Sequence, residues 1–306
     1  MADTRLAVGP REDRVRARAS RGPRRPWSID LGRGRSLLIL SPLLIVVAVF
    51  VVYPMAKLAI DSFTQGDGIG NYAQVLGSGA TRKAFATTLW SSALVTLISV
   101  VLGGVLAWCI RATTSTLRRN IMLLAVLIPF CMGVVIKNYI FAVIFARTGV
   151  LNNVLLALGI IDEPAKIMYT PFAVVVGMVY AMLPYATLSM LAAFATIDLQ
   201  LISAAKSMGA SHARAVLGVV VPLGTPGLLA SATIVFAISV GFYITPIVLG
   251  GTQTPFVASL IGDDLFELFN YPRAAATGVL LLLVALVVLL GGLKLVGGRA
   301  LKAVLG

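Results

Sequence analysis

Few side chains in this sequence have the type and spacing to do chemistry. The only histidine, His212, has no Ser, Asp or Cys set gathered around it, so it reads as a surface residue rather than a catalyst. Cys109 and Cys131 both fall inside apolar runs without the further ligands a metal site needs, and read as small buried hydrophobes. No Gly-x-x-x-x-Gly-Lys-Ser/Thr occurs, so the chain has no phosphate-cradling loop for ATP. Energy for any transport must then come from a separate ATPase or from an ion gradient. Lys137 is the one charge well inside an apolar run. It either snorkels to the outer interface or lines a water-filled path. Asp263, Asp264 and Glu267 form an acidic cluster, either a contact for an external protein or cation, or a solvated face.

A different kind of pattern runs over residues 195–222. It is long for a connection and only moderately polar. Gly209 suits the left-handed position that ends a helix, and Ser211 can cap the next one. Pro222 and Pro226 then break the chain. The spacing predicts two short helices around Gly209. Ala204 and Ala205 are small enough for close approach to another protein, and Leu201 and Met208 add an apolar contact face. A plain loop resting on lipid head groups would account for neither the helix–Gly–helix design nor the weak charge.

The elements that carry these residues follow from composition. Of 306 residues, 58% are hydrophobic and 12% charged, with mean hydropathy +0.96. That excludes an ordinary soluble domain. The apolar residues lie in runs of about twenty, the length that crosses the ~30 Å hydrocarbon core as a helix. Strand-type alternation is absent, so the spans are helices. Six are expected: Leu37–Ile60 (broken by Pro42 and ended by Tyr53-Pro54), Thr87–Ile110, Ile121–Phe145, Thr170–Phe194, Leu228–Leu249 and Ala274–Leu295. No internal repeat is visible. Residues 37–306 thus read as one all-α membrane domain of six transmembrane helices, with residues 1–36 as a disordered basic tail.

Net charge is +13, and ten of the 25 basic residues precede Ser36. No aromatic or RNA-binding motif accompanies them, which argues against nucleic acid and for anionic lipid or topology control. The apolar run that follows is too long for a signal-peptide core. With both termini in the cytoplasm, eighteen of the 25 basic residues fall on the inner side. The bias fixes that orientation, and segment 195–222 then faces the cytoplasm.

The stretch Ser203-Ala204-Ala205-Lys206-Ser207-Met208-Gly209-Ala210, followed by Val221-Pro222, resembles the EAA loop of ABC import permeases. The family signature opens with Glu, where Ser203 stands here. Ser41-Pro42, Tyr53-Pro54 and Asn71-Tyr72 are similar to the family's first span and the motif after it. Pro129 through Tyr139, Gly149 through Asn153 and Leu249 through Pro255 resemble its spermidine/putrescine branch. The resemblance implies a type I ABC importer permease (MetI-like) fold in the bacterial inner membrane. It implies a coupling loop of Ser203, Ala204, Ala205, Met208, Gly209, Ala210 and Pro222 seated in the ATPase. It further implies ATPase subunits that hold ATP and Mg, a second permease subunit and an external solute-binding protein. No cofactor is expected on this chain. The implied solute is a polyamine such as spermidine or putrescine.

For the pathway, Pro129, Pro184 and Pro246 with Gly133 and Gly241 mark helices that can bend, or alternatively kinks that aid packing. Tyr180, Tyr185 and Tyr243 offer ring faces to a cation, or pack between helices. A cation at Lys137 sits awkwardly with a polyamine. Two alternatives stand beside the polyamine permease: an ABC permease for a non-amine solute, and an ion-driven secondary transporter. The second calls for mid-membrane acidic residues or repeated halves, and neither is seen. A membrane-embedded enzyme lacks any convergent catalytic set.

Overall fold

A computed structural model describes the backbone of residues 33–305 and the side chains of 40–292 and Lys294. Residues 1–32, most of the expected basic tail, lie outside the described residues. The chain separates into two compact units, Met1–Ala56 and Lys57–Gly306. The expected all-α architecture is borne out, and no strand occurs among the described residues. Five helical stretches are long and apolar enough to cross a membrane: Leu40–Thr64, Gly79–Ala112, Val134–Ala157, Pro171–Ala195 and Tyr271–Gly292. A sixth is the pair His212–Leu223 and Thr225–Val240, bent by 68°.

The described helix begins with α1 (Arg33–Val47) and continues through a π-turn at Ala48–Val52 into α2 (Tyr53–Thr64). Tyr53-Pro54 therefore does not end the first span, contrary to expectation, and Pro42 lies within it. The reason is local. A proline ring collides with the carbonyl four residues back, and widening the preceding turn removes the clash. The Tyr53 N–H donates to the Ala48 carbonyl five residues back. The same device recurs before Pro222, where the Val221 N–H donates to the Val216 carbonyl.

The Gly-rich connection contains a helix of its own, α3 (Ile69–Gly77). The second span, α4 (Gly79–Ala112), starts eight residues before the expected Thr87 because Ser78 caps it, accepting from the Thr81 N–H at 3.4 Å. The expected third span is broken. α5 (Thr116–Cys131) and α6 (Val134–Phe145) are separated by Met132 and Gly133, both extended with ψ of 136° and 148°. A short helix α7 (Val150–Ala157) follows. The fourth span, α8 (Pro171–Ala195), runs unbroken through Pro184 with Thr170 as its cap.

The hairpin region holds α9 (Gln200–Ser207), α10 (His212–Ala215), a π-turn at Val216–Val220 and α11 (Val221–Leu223). Its break before the fifth span falls at Gly224 rather than Pro222. The fifth span itself, α12 (Thr225–Val240), ends before the expected Leu249: residues 241–243 leave the helix and a π-turn occupies Pro246–Gly250. α13 (Val257–Phe266) and the long α14 (Tyr271–Leu305) complete the chain.

Helices α4, α8 and α12 form the centre of the second unit. Small residues permit the approach, as expected where apolar lipid removes the hydrophobic drive to associate. A Cβ on Gly103 would lie 2.7 Å from Ala186 Cβ, and one on Gly227 only 2.1 Å from Ala193 Cβ. Two apolar clusters fill the interior. One joins Val95, Met178, Met182, Val235, Leu249 and Phe256. The other, around Ala107, Met190 and Phe194, extends into the hairpin.

Candidate functional site

The hairpin starts where α8 stops. Asp198 Oδ1 accepts from the Gln200 N–H at 2.9 Å and opens α9. At the other end, the Gly209 N–H donates to Lys206 O at 2.9 Å and the Ala210 N–H to Ala205 O at 3.1 Å. This pair of bonds is a Schellman cap, and it needs a left-handed residue at its centre. Gly209 has φ +89°, as its position predicted. Ser211 then caps α10, accepting from the Arg214 N–H at 3.4 Å.

The two faces of the hairpin differ sharply. Ile202, Ala215 and Val220 are buried in the cluster with Met190 and Phe194, with Ala205 and Ala210 packed at its margin. On the opposite side, Leu201, Ser203, Ala204, Met208 and Gly209 are exposed, Met208 by 83%. Leu201 and Ala204 of α9 and its C-cap Met208 stand at i, i+3 and i+7, along one stripe. Nothing approaches within 4 Å of a Cβ built on Gly209. Pro222 is exposed further along. The arrangement presents a small-residue, uncharged ridge anchored at its back.

One of the eighteen basic residues counted on the inner side, Arg111, fixes the base of this ridge. Arg111, in the last turn of α4, donates from Nε to Phe194 O and from Nη2 to Ile197 O, each at 3.3 Å. A cation on the last carbonyls of α8 also opposes the negative end of the helix dipole. The basic residue closing a long apolar run was the visible signal. Its partner was not, because it lies more than eighty residues away.

The pathway candidates divide. Lys137, Tyr185 and Tyr243 line one cavity of about 300 Å³, with Val134, Met182 and Phe242. Lys137 is 5% exposed. Tyr180 instead packs edge-on against Phe141, ring centroids 5.1 Å apart, and Tyr185 also meets Phe130 at 5.2 Å. Pro184 is buried inside α8, and Pro129 is half-buried in the last turn of α5, three residues before the chain breaks. Of the acidic cluster, Asp264 is buried and lies 3.6 Å from Arg273 Nε, while Asp263 and Glu267 are exposed. Burial raises the Asp264 carboxyl above its ordinary range, against the pull of Arg273 and with the push of Asp263. His212, Cys109 and Cys131 are exposed, so neither cysteine takes the buried place expected for it. Among the described residues no cluster of His, Cys, Asp and Glu forms a metal site.

Residues 99–297 match the family described as binding-protein-dependent transport system inner membrane component. The chain belongs to that family. The permease is 29% identical over 216 residues to the spermidine/putrescine transport system permease protein PotB of Salmonella typhimurium, covering 71% of this chain and 75% of that one. It is 24% identical to a probable sulfate transport system permease protein cysT of Nephroselmis olivacea, covering 87% and 94%. Its fold is similar to the crystal structure of a bacterial alginate ABC transporter in complex with a pentasaccharide-bound periplasmic protein. The TM-score is 0.70 at 21% identity, covering 83% of this chain and 90% of that one. The chain is thus a multi-pass inner-membrane permease subunit of an ABC importer, a transport subunit rather than an ATPase. The hairpin and the Lys137 cavity lie inside the region the family match spans.

Proposed function

We propose that hairpin 195–222 is the coupling element through which a separate ATPase drives this permease, and that the solute carried is a polyamine or a related small organic amine. One observation carries the first part: the ridge of Leu201, Ala204 and Met208 is exposed while its other face is built into the core that holds α4 and α8. A ridge so anchored transmits displacement into the spans, and its lack of strong charge suits a protein groove. Ser203 takes the place of the family's opening Glu, so the contact rests on shape and apolar area. ATP and Mg sit on the ATPase subunits. A second permease subunit and an external solute-binding protein complete the assembly, and both termini face the cytoplasm, in line with the charge bias. Movement of the ridge biases the spans between two openings.

The amine class is supported by PotB, whose printed function is spermidine/putrescine transport. A specific observation favours a second reading. The buried Lys137 in the cavity suits a solute with an anionic group, and sulfate and alginate transporters are also among the similar proteins.

The test is purification of the full chain from its own cells, with ATPase activity and uptake of labelled putrescine and spermidine measured together. Met208→Asp is expected to lower ATPase co-purification and uptake in parallel. Full uptake by a Met208→Asp, Ala204→Trp variant, or a preparation in which no ATPase accompanies the chain, would refute the coupling role.

A further inference from the structure

We infer that the cavity between α6, α8 and the end of α12 is a binding site for the anionic group of the transported solute, with Lys137 as its charge. The inference rests on the permease reading and names the solute chemistry of the pathway.

Lys137 opens the case. The residue is 5% exposed, and its side chain makes no hydrogen bond or ion pair among the described residues. An ammonium within a membrane span and without a partner is costly unless it faces a water-filled path or a bound ion. The side chain lines a cavity of about 300 Å³, the lower end of small-molecule sites. No carboxylate lines the cavity to neutralise it, and the buried Asp264 is paired with Arg273.

The cavity walls are also built for a ligand rather than for packing. Tyr185 and Tyr243 contribute to its lining, with the hydroxyl end of Tyr243 against Gly262 of α13. Gly241, Phe242, Tyr243 and Ile244 line it where α12 has ended, so one wall includes a stretch of irregular chain. Irregular backbone at membrane depth is tolerated where it lines a cavity. The charge of Lys137 beside this irregular stretch describes a site suited to a polar occupant.

A solute fits better than a carboxylate from a neighbouring subunit, because the space accommodates a whole small molecule. An amino-carboxylate satisfies it well: the carboxylate meets Lys137, and its ammonium has the Tyr185 and Tyr243 rings as cation-accepting faces.

The experiment uses the complete transporter, purified with its ATPase in nanodiscs. Equilibrium binding of labelled 4-aminobutyrate is compared with that of labelled putrescine, which keeps four carbons and has a CH2–NH3+ group in place of the carboxylate. We expect saturable binding of 4-aminobutyrate, weakened at least tenfold by Lys137→Met and restored to within about threefold by Lys137→Arg, and weaker binding of putrescine. No saturable binding of 4-aminobutyrate, tighter binding of putrescine, or an unchanged Lys137→Met variant each overturns the site. If Lys137→Met instead dissociates a second permease subunit and Lys137→Arg restores it, the lysine pairs with that subunit and the inference fails. None of these results touches the permease reading, which fails separately if no ATPase accompanies the chain.

Discussion

Replacing Gly209 separates backbone conformation from side-chain bulk at the tip of the proposed coupling ridge. Its φ of +89° lies where an L residue pays about 1–2 kcal/mol, and more with a branched Cβ. The space around it is empty: nothing stands within 4 Å of the added Cβ. The cost of Gly209→Val is therefore conformational and not a clash. The chain can keep the strain, or abandon the cap and lose the Gly209–Lys206 and Ala210–Ala205 hydrogen bonds, each worth about 0.5–1.5 kcal/mol net. The strain costs about 1–2 kcal/mol and loss of the cap about 1–3, so the cheaper route lowers the population of the native hairpin roughly 5- to 30-fold relative to opened forms. Gly209→Asn adds a side chain of similar size but tolerates the left-handed region. Trypsin cleavage after the exposed Lys206 reads hairpin opening directly. The expected order of cleavage rate is valine well above asparagine, with asparagine near wild type, and ATP-driven uptake in the reverse order. If valine and asparagine are indistinguishable from wild type in both assays, the left-handed cap is not used. If both lose uptake equally without faster cleavage, bulk against a partner surface decides, and the conformational argument is wrong.

Other perturbations follow from the same geometry. Arg111→Gln removes the charged donor to Phe194 O and Ile197 O and should cost about 1.5 kcal/mol, seen as a lower unfolding temperature in detergent. Arg111→Lys should recover only part of it, because one ammonium does not reproduce the guanidinium fork across two carbonyls. Gly227→Ala places a Cβ 2.1 Å from Ala193 Cβ and should destabilise by about 1–3 kcal/mol, with Ala193→Gly as a second change restoring much of the loss in the same melt. Asp264 has a raised pKa when folded, so its proton is favoured by folding and its ionised form is not. Stability should fall as pH rises above the ordinary carboxyl value of 3.8, and Asp264→Asn should flatten that slope in a pH series of thermal melts.

The hairpin was legible because its signals are local. Gly209 ends one helix, Ser211 starts the next, and both lie within a few residues of the bonds they serve. The breaks in the spans were not legible in the same way. Prolines were expected to break the first span and the hairpin and, with Gly133 and Gly241, to mark where other spans bend, yet Pro42 and Pro184 sit within continuous helix, and Pro54 and Pro222 are absorbed after widened turns. A proline's φ is already helical, and only its ring and missing donor need room. The chain leaves the helix at or beside glycines: the two expected, Gly133 and Gly241, and also Gly224. Residue type alone did not reveal this, since Gly103, Gly177 and Gly227 remain helical. Gly103, Gly177 and Gly227 have side chains of other helices or segments pressed on them, so their backbones are held by packing. Gly133 has nothing within 4 Å and Gly241 only a carbonyl of its own turn. Contact is not the whole rule: Gly224 turns with the Phe194 ring 2.5 Å from where its Cβ would lie, and Gly291 and Gly292 stay helical with nothing within 4 Å. In this permease two such turns, at Gly133 and Gly241, adjoin Lys137, the one charge well inside an expected span, where an irregular backbone and a polar solute can satisfy each other.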